Sequence, residues 1–184
     1  MIYIFLADGF EETEALVPLD MLRRAKLPVK TVSVGASPVT GSHGISVISD
    51  MSIADFDDLL PDALILPGGM PGTANLEKCQ ELAGLLKSNY EKCLLCAICA
   101  APSVFGKLGL LAGKKATCYP GFEGYLEGAE YTADNVVKDG KFITAKAAGA
   151  AFEFSKAIIS ELSDKNTAQN VLDGIYYRRN EENI

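Results

Sequence analysis

Two kinds of apolar pattern alternate from one end of this chain to the other. Ile2–Ala7 is a continuous apolar run with Tyr and Phe, the signature of a strand covered on both faces. Glu12–Lys26 follows with Leu16, Leu19, Met21, Leu22 and Ala25 near helical spacing. Val29–Val34 is β-branched and predicts a second strand. Val39 and Ile45–Ile48 flank a Gly-rich stretch and predict a small hairpin. Ala63–Leu66 is another buried strand, ended by Pro67-Gly68-Gly69. Leu76–Tyr90 reads as a helix, Cys93–Ile98 as a central strand, and Ala101–Leu108 as a helix with Pro102 in its first turn, where no N–H is needed. Lys115–Cys118, Asn135–Lys138 and Phe142–Ala145 are the later strands. The Asp139-Gly140 pair suits the turn of a hairpin. Ala150–Leu162 and Thr167–Tyr177 close the chain as helices.

No Pro/Ser-rich linker, repeat or low-complexity tract interrupts this order, so one domain over 1–184 is expected. Strands alternating with helices predict an α/β fold, a mostly parallel sheet with helices on both faces. Functional groups in such folds gather at the carboxyl ends of strands.

Composition narrows the partners. Hydrophobic residues make up 48% and charged residues 22% of the chain, which excludes a disordered or fibrous protein. The apolar runs are too short for a membrane helix, and Met1 leads straight into a strand, so a cytoplasmic protein with no membrane partner is expected. A net charge of −7 makes nucleic acid a poor partner. The single histidine, His43, cannot build a multi-histidine metal site; it falls in the predicted hairpin and reads as a surface residue. Five cysteines in a reducing compartment are expected to be buried, reactive or metal-binding rather than disulfide-bonded.

Three strand ends carry candidate chemistry. At Ala97-Ile98-Cys99-Ala100-Ala101-Pro102, an apolar strand stops at a thiol and a helix starts at once. Helix N–H groups and the positive dipole end predict a lowered pKa for Cys99, and the N–H of Ala100 can hold an oxyanion. At Leu66-Pro67-Gly68-Gly69, adjacent glycines permit a tight turn, and Gly69 N–H can supply a second oxyanion donor. No phosphate-loop spacing is present there. At Asp8-Gly9-Phe10-Glu11-Glu12-Thr13-Glu14, Glu11 and Glu12 read as solvated charges in a first helical turn. Glu14 lies one turn in, beside Ala15, Leu16 and Val17, where a carboxyl over the sheet could have a raised pKa and carry a proton. Cys93, Cys96 and Cys99 are spaced like cluster ligands, but strand alternation puts Cys93 and Cys99 on one face and Cys96 on the other. No metal is therefore expected. Cys79 and Cys118 read as structural.

Taken together, Ala97–Pro102, Leu66–Gly69 and Glu11-Glu12-Thr13-Glu14 resemble the ThiJ/PfpI superfamily, in its parkinsonism-associated deglycase branch. The likeness extends through Asp20–Ala25 and Val137–Gly140 to Gly149 and Phe152-Glu153-Phe154. It implies a flavodoxin-like sandwich and a homodimer. It implies a nucleophilic, oxidation-prone Cys99 with protonated Glu14 against its sulfur, and oxyanion donors from Gly69 and Ala100. The activities it implies are cofactor-independent glyoxalase or deglycase action on small 2-oxoaldehydes such as methylglyoxal, or on glycated adducts, in stress protection, with no redox cofactor and no metal. The alternative it carries is a redox sensor or chaperone whose Cys99 oxidises to sulfinate. Many members have a histidine in the segment that reads Ala116-Thr117-Cys118-Tyr119-Pro120 here; Tyr119 takes the matching place and can orient substrate or donate a hydrogen bond. Peptidase members use a histidine directly after the cysteine, where this chain has Ala100, so peptidase action is not expected.

Overall fold

A computed structural model describes residues 1–57 and 60–177. The chain runs β1 (Ile2–Leu6), α1 (Glu12–Arg24), β2 (Val29–Ser33), β3 (Val39–Thr40), β4 (Ser46–Val47), β5 (Met51–Ser52) and β6 (Ala63–Leu66). It continues with α2 (Gly72–Lys78), α3 (Gln80–Asn89), β7 (Leu94–Ile98), α4 (Pro102–Lys107), β8 (Lys115–Ala116) and β9 (Glu130–Tyr131). β10 (Val136–Asp139), β11 (Phe142–Ala145), α5 (Ala151–Leu162) and α6 (Lys165–Gly174) complete the described residues.

Seven strands form one sheet in the order β10-β11-β7-β6-β1-β2-β5. All neighbours are parallel except the β10–β11 hairpin at one edge. The five residues of β1 and of β7 are all buried, as continuous apolar strands between two helical layers should be. One face packs Ile4, Leu6, Ile65 and Ile98 against Met21 and Leu22 of α1, Phe154 and Ile158 of α5, and Leu172 of α6. The other packs Phe5, Leu64, Leu66 and Leu95 against Leu76, Leu82 and Leu86 of α2 and α3, and Phe105 of α4. The result is the flavodoxin-like α/β sandwich. After β1 the chain builds outward through β2 and β5, then returns to build the other side through β6, β7 and β11. The order therefore reverses between β1 and β6, and the crevice at their carboxyl ends is where such sheets place their chemistry.

Several expected elements differ in detail. The helix expected over Leu76–Tyr90 is two, because Cys79 is extended (ψ 109°) and its Sγ accepts the Leu82 N–H at 3.4 Å as the cap of α3. Asp139 pairs with Phe142, so the hairpin turn is Gly140-Lys141, one residue later than the Asp-Gly signal suggests; Gly140 takes φ +57° at its first position. The strand expected over Lys115–Cys118 keeps two residues and pairs with β9 outside the main sheet. β5 and β9, of two residues each, have too little pattern to read.

Phe154 is fully buried where α5 meets the sheet and α1. Phe154→Ala should lower unfolding stability by about 3–5 kcal/mol in urea titration, since the ring's burial is lost and a cavity stays. A loss under 1 kcal/mol would mean that this layer is not packed as described.

Candidate active site

The carboxyl ends of β1, β6 and β7 bring three segments together. β7 ends at Ile98, and Cys99 turns the chain with φ +65°, a left-handed conformation that costs a non-glycine residue about 1–3 kcal/mol. Two backbone hydrogen bonds hold it there: Cys99 N–H donates to Ala145 O at 2.9 Å, and Tyr119 N–H donates to Cys99 O at 2.8 Å. The strained turn carries Sγ out of the strand's pleat. Cys93 therefore lies in the core beside α2 and α3, while Cys99 packs with Cys96 against the opposite core. This corrects the expectation that Cys93 and Cys99 share a face; alternation ends where the extended backbone ends.

Glu14 projects from α1 over the same point and is 1% exposed. Gly68 N–H donates to its Oε2 at 2.9 Å, the Ala148 N–H also reaches the carboxyl, and the carboxyl is hydrogen-bonded to the Cys99 thiol. The N–H groups of Ala100 and Gly69 donate to the sulfur. Cys99, Glu14, Gly69 and Ala100, picked out from three separate segments, thus converge. Tyr119 meets them through its backbone, with its side chain 47% exposed.

Burial dominates the electrostatics. It pushes the Glu14 carboxyl up to about 7, with the nearby Glu11 charge adding, against hydrogen bonds from Cys99, Gly68 and Ala148. Burial also pushes the Cys99 thiol up, and the Glu14 charge and hydrogen bond take it to about 12, against the Ala100 and Gly69 N–H groups. The lowered thiol expected from the helix start is thus not found: α4 is only six residues long, and burial together with an anionic neighbour outweighs the N–H groups at its start. Ionising the sulfur requires Glu14 to hold a proton, so the two groups act as one unit.

The model of the DJ-1/PfpI family matches residues 1–161. The chain belongs to the DJ-1/PfpI family. Protein DJ-1 homolog B of Arabidopsis thaliana is 37% identical over 97% of this chain but 42% of its own length, so this chain spans less than half of that relative. The glutathione-independent glyoxalase DJR-1.2 of Caenorhabditis elegans is 33% identical over 88% of each chain, and a deglycase of Pyrococcus abyssi is 28% identical over 88% of this chain and 98% of its own. The crystal structure of Drosophila melanogaster DJ-1beta superposes with a TM-score of 0.90 at 34% identity, covering 97% of this chain and 98% of that one.

Within this DJ-1/PfpI chain, Gly68 and Ala148 also shape the site. A Cβ on Gly68 would stand 2.6 Å from Glu14 Oε2 and 2.7 Å from Cys99 Cβ, closer than real Cβ contacts. The Gly68-Gly69 pair hinted at close approach, but not at which side chains approach. Ala148 left no signal, because a backbone N–H donor needs no particular side chain. Gly68→Ala should separate the carboxyl from the thiol: a shift in the pH dependence of Cys99 alkylation, with about 1–3 kcal/mol lost in urea unfolding, is expected. Unchanged alkylation would show that the two groups tolerate a methyl between them.

Glu12 departs from the solvated role expected for it. Its side chain is 7% exposed, and it accepts the His43 N–H at 2.7 Å and pairs with His43 Nδ1 at 2.8 Å. Burial raises its pKa, but the His43 side chain and the N–H groups of His43 and Ile45 outweigh that and hold it near 2. His43 itself is 70% exposed, as a surface residue should be. Because the folded carboxyl titrates below its ordinary 4.5, its contribution is complete above that pH and is lost as pH falls toward 2. Acid unfolding of Glu12→Gln should lack this component; an identical acid limb would contradict the assignment.

Proposed function

We propose that this chain, acting as one domain, converts small 2-oxoaldehydes such as methylglyoxal to 2-hydroxy acids without glutathione, with Cys99 as nucleophile. One observation carries the reading. A buried carboxyl pushed up to about 7 is hydrogen-bonded to the Cys99 thiol, and two backbone N–H donors converge on the same sulfur. A base with a pKa near the working pH, touching a thiol beside an oxyanion cradle, suits covalent chemistry on a carbonyl.

As the sulfur attacks the aldehyde carbon, the thiol proton passes to the Glu14 carboxylate. The C=O electron pair becomes an oxyanion, to which the Gly69 and Ala100 N–H groups can donate. Glu14 returns a proton to that oxygen, giving a hemithioacetal. It then removes the C–H proton of the former aldehyde carbon, leaving an enediolate, and delivers that proton to the neighbouring ketone carbon while the hydroxyl proton moves from the former aldehyde oxygen to the former ketone oxygen. The former aldehyde carbon becomes a thioester and the former ketone an alcohol, with no external oxidant. Water cleaves the thioester, releasing the 2-hydroxy acid and the thiol. Tyr119, half-exposed at the mouth, can donate a hydrogen bond to the substrate. The names of the nematode glyoxalase and archaeal deglycase support an aldehyde or glycated adduct as substrate.

The same contact favours a second reading, as a redox sensor or chaperone. Cys99 is partly exposed, and the protonated form of Glu14 could hydrogen-bond a sulfinate formed there. Intact mass after mild peroxide tests it: two added oxygens on Cys99 support sensing, and none argues against it. A homodimer and a cytoplasmic location complete the proposal. Purified protein incubated with methylglyoxal and no glutathione should release lactate catalytically. A rate no better than a free thiol in buffer would remove the enzyme reading.

A further inference from the structure

We propose that Glu11, Glu12 and His43 form a binding site for one divalent transition-metal cation, with zinc as the reference ion. Among the described residues, these three side chains each offer a ligand atom, and the atoms all lie within 4.8 Å of one another. The set combines an imidazole with two carboxylates, a donor mixture suited to zinc and its first-row neighbours. With a neutral imidazole, its charge balances a divalent ion.

The arrangement comes from two elements that the sequence gives no reason to join. Glu11 precedes α1, and one of its oxygens accepts the Glu14 N–H at 2.7 Å. That bond fixes the carboxylate and leaves its second oxygen for a cation. Glu12, the first residue of α1, reaches into the turn between β3 and β4. There the His43 and Ile45 N–H groups donate to Oε1 at 2.7 and 3.4 Å, and Ser42 Oγ donates to Oε2 at 3.4 Å. The tight fit requires Gly41, whose Cβ would stand 2.3 Å from Glu12 Oε1. Backbone donors on Oε1 and the Ser42 hydroxyl on Oε2 thus orient the Glu12 carboxylate beside the imidazole.

His43 closes the set. Its Nδ1 lies 2.8 Å from Glu12 Oε2 and 3.2 Å from Ser42 Oγ, and its side chain is largely in solvent. Two ligands at zinc's bond lengths and tetrahedral angle stand roughly 3.3 Å apart. Opening the Nδ1–Oε2 gap by about half an ångström therefore admits an ion, which takes the place of the proton in that hydrogen bond. Water completes the coordination from the open side.

The chain's single histidine makes the test direct. Full-length protein labelled with nitrogen-15, in a Cys79→Ser and Cys99→Ser background to remove the two partly exposed thiols, is titrated with zinc. The imidazole resonances are followed, because only one ring can give them. They should move and saturate near one equivalent. Cobalt in place of zinc should give ligand-field bands without sulfur-to-metal charge transfer. His43→Gln and Glu11→Gln, judged folded by circular dichroism, should each weaken affinity roughly tenfold or more. Zinc uptake that leaves the imidazole resonances unmoved, affinity unchanged in His43→Gln, or no response at millimolar zinc would each overturn the site.

Discussion

Cys99→Ser should reduce conversion of methylglyoxal to lactate by about 10³-fold or more, to the level of buffer, while leaving the fold intact. Serine matches the thiol in shape and can keep the hydrogen bonds of the sulfur with Glu14, Ala100 and Gly69. The left-handed turn is held by main-chain bonds to Ala145 and Tyr119, which the substitution does not touch. What it removes is nucleophilicity: a hydroxyl ionises far less readily than a thiol, and a carboxyl near 7 is too weak a base to compensate. Lactate release over time and urea unfolding, measured together, separate chemistry from stability. Retained turnover would place the reaction on another group.

Glu14→Gln should cost about 10²–10⁴-fold in kcat/KM, the usual worth of a positioned proton-transfer group. Its pH dependence carries more information than its size. If the carboxylate must take the thiol proton, wild-type kcat/KM rises as pH increases through about 7. The amide cannot accept that proton, so this limb should vanish in the variant. Stability should move the opposite way. The folded carboxyl titrates at about 7 against an ordinary 4.5, so the folded state holds the extra proton between those values and stability falls as pH rises through them. Glutamine carries no such penalty, and Glu14→Gln should be as stable as wild type below the ordinary 4.5 and more stable at about pH 8. A less active and less stable variant at pH 8 would show a structural role for Glu14 instead.

The layers of the fold were legible because their cause is local. Ile2–Leu6, Ala63–Leu66 and Leu94–Ile98 are apolar without alternation, and only strands covered on both faces need that. The site was legible as three strand ends, because a parallel sheet brings its carboxyl ends together whatever the loops do. The rest depended on distances that no segment carries alone. The thiol was expected low from its helix start, but burial raises it, and a carboxylate eighty-five positions earlier in the chain adds to the rise. Glu12 reads like Glu11, until the fold places the Ser42–Ile45 turn over it. The Leu76–Tyr90 helix breaks at Cys79, a residue with no strong breaking tendency of its own.

Trapping the covalent intermediate tests the central claim most directly. Protein mixed with excess methylglyoxal is quenched in acid during turnover, digested, and its peptides mapped by mass. The account predicts one methylglyoxal mass on the peptide carrying Cys99, present during turnover and gone once substrate is exhausted. Lactate production with Cys99 unmodified throughout, or with the adduct on another residue, would contradict it.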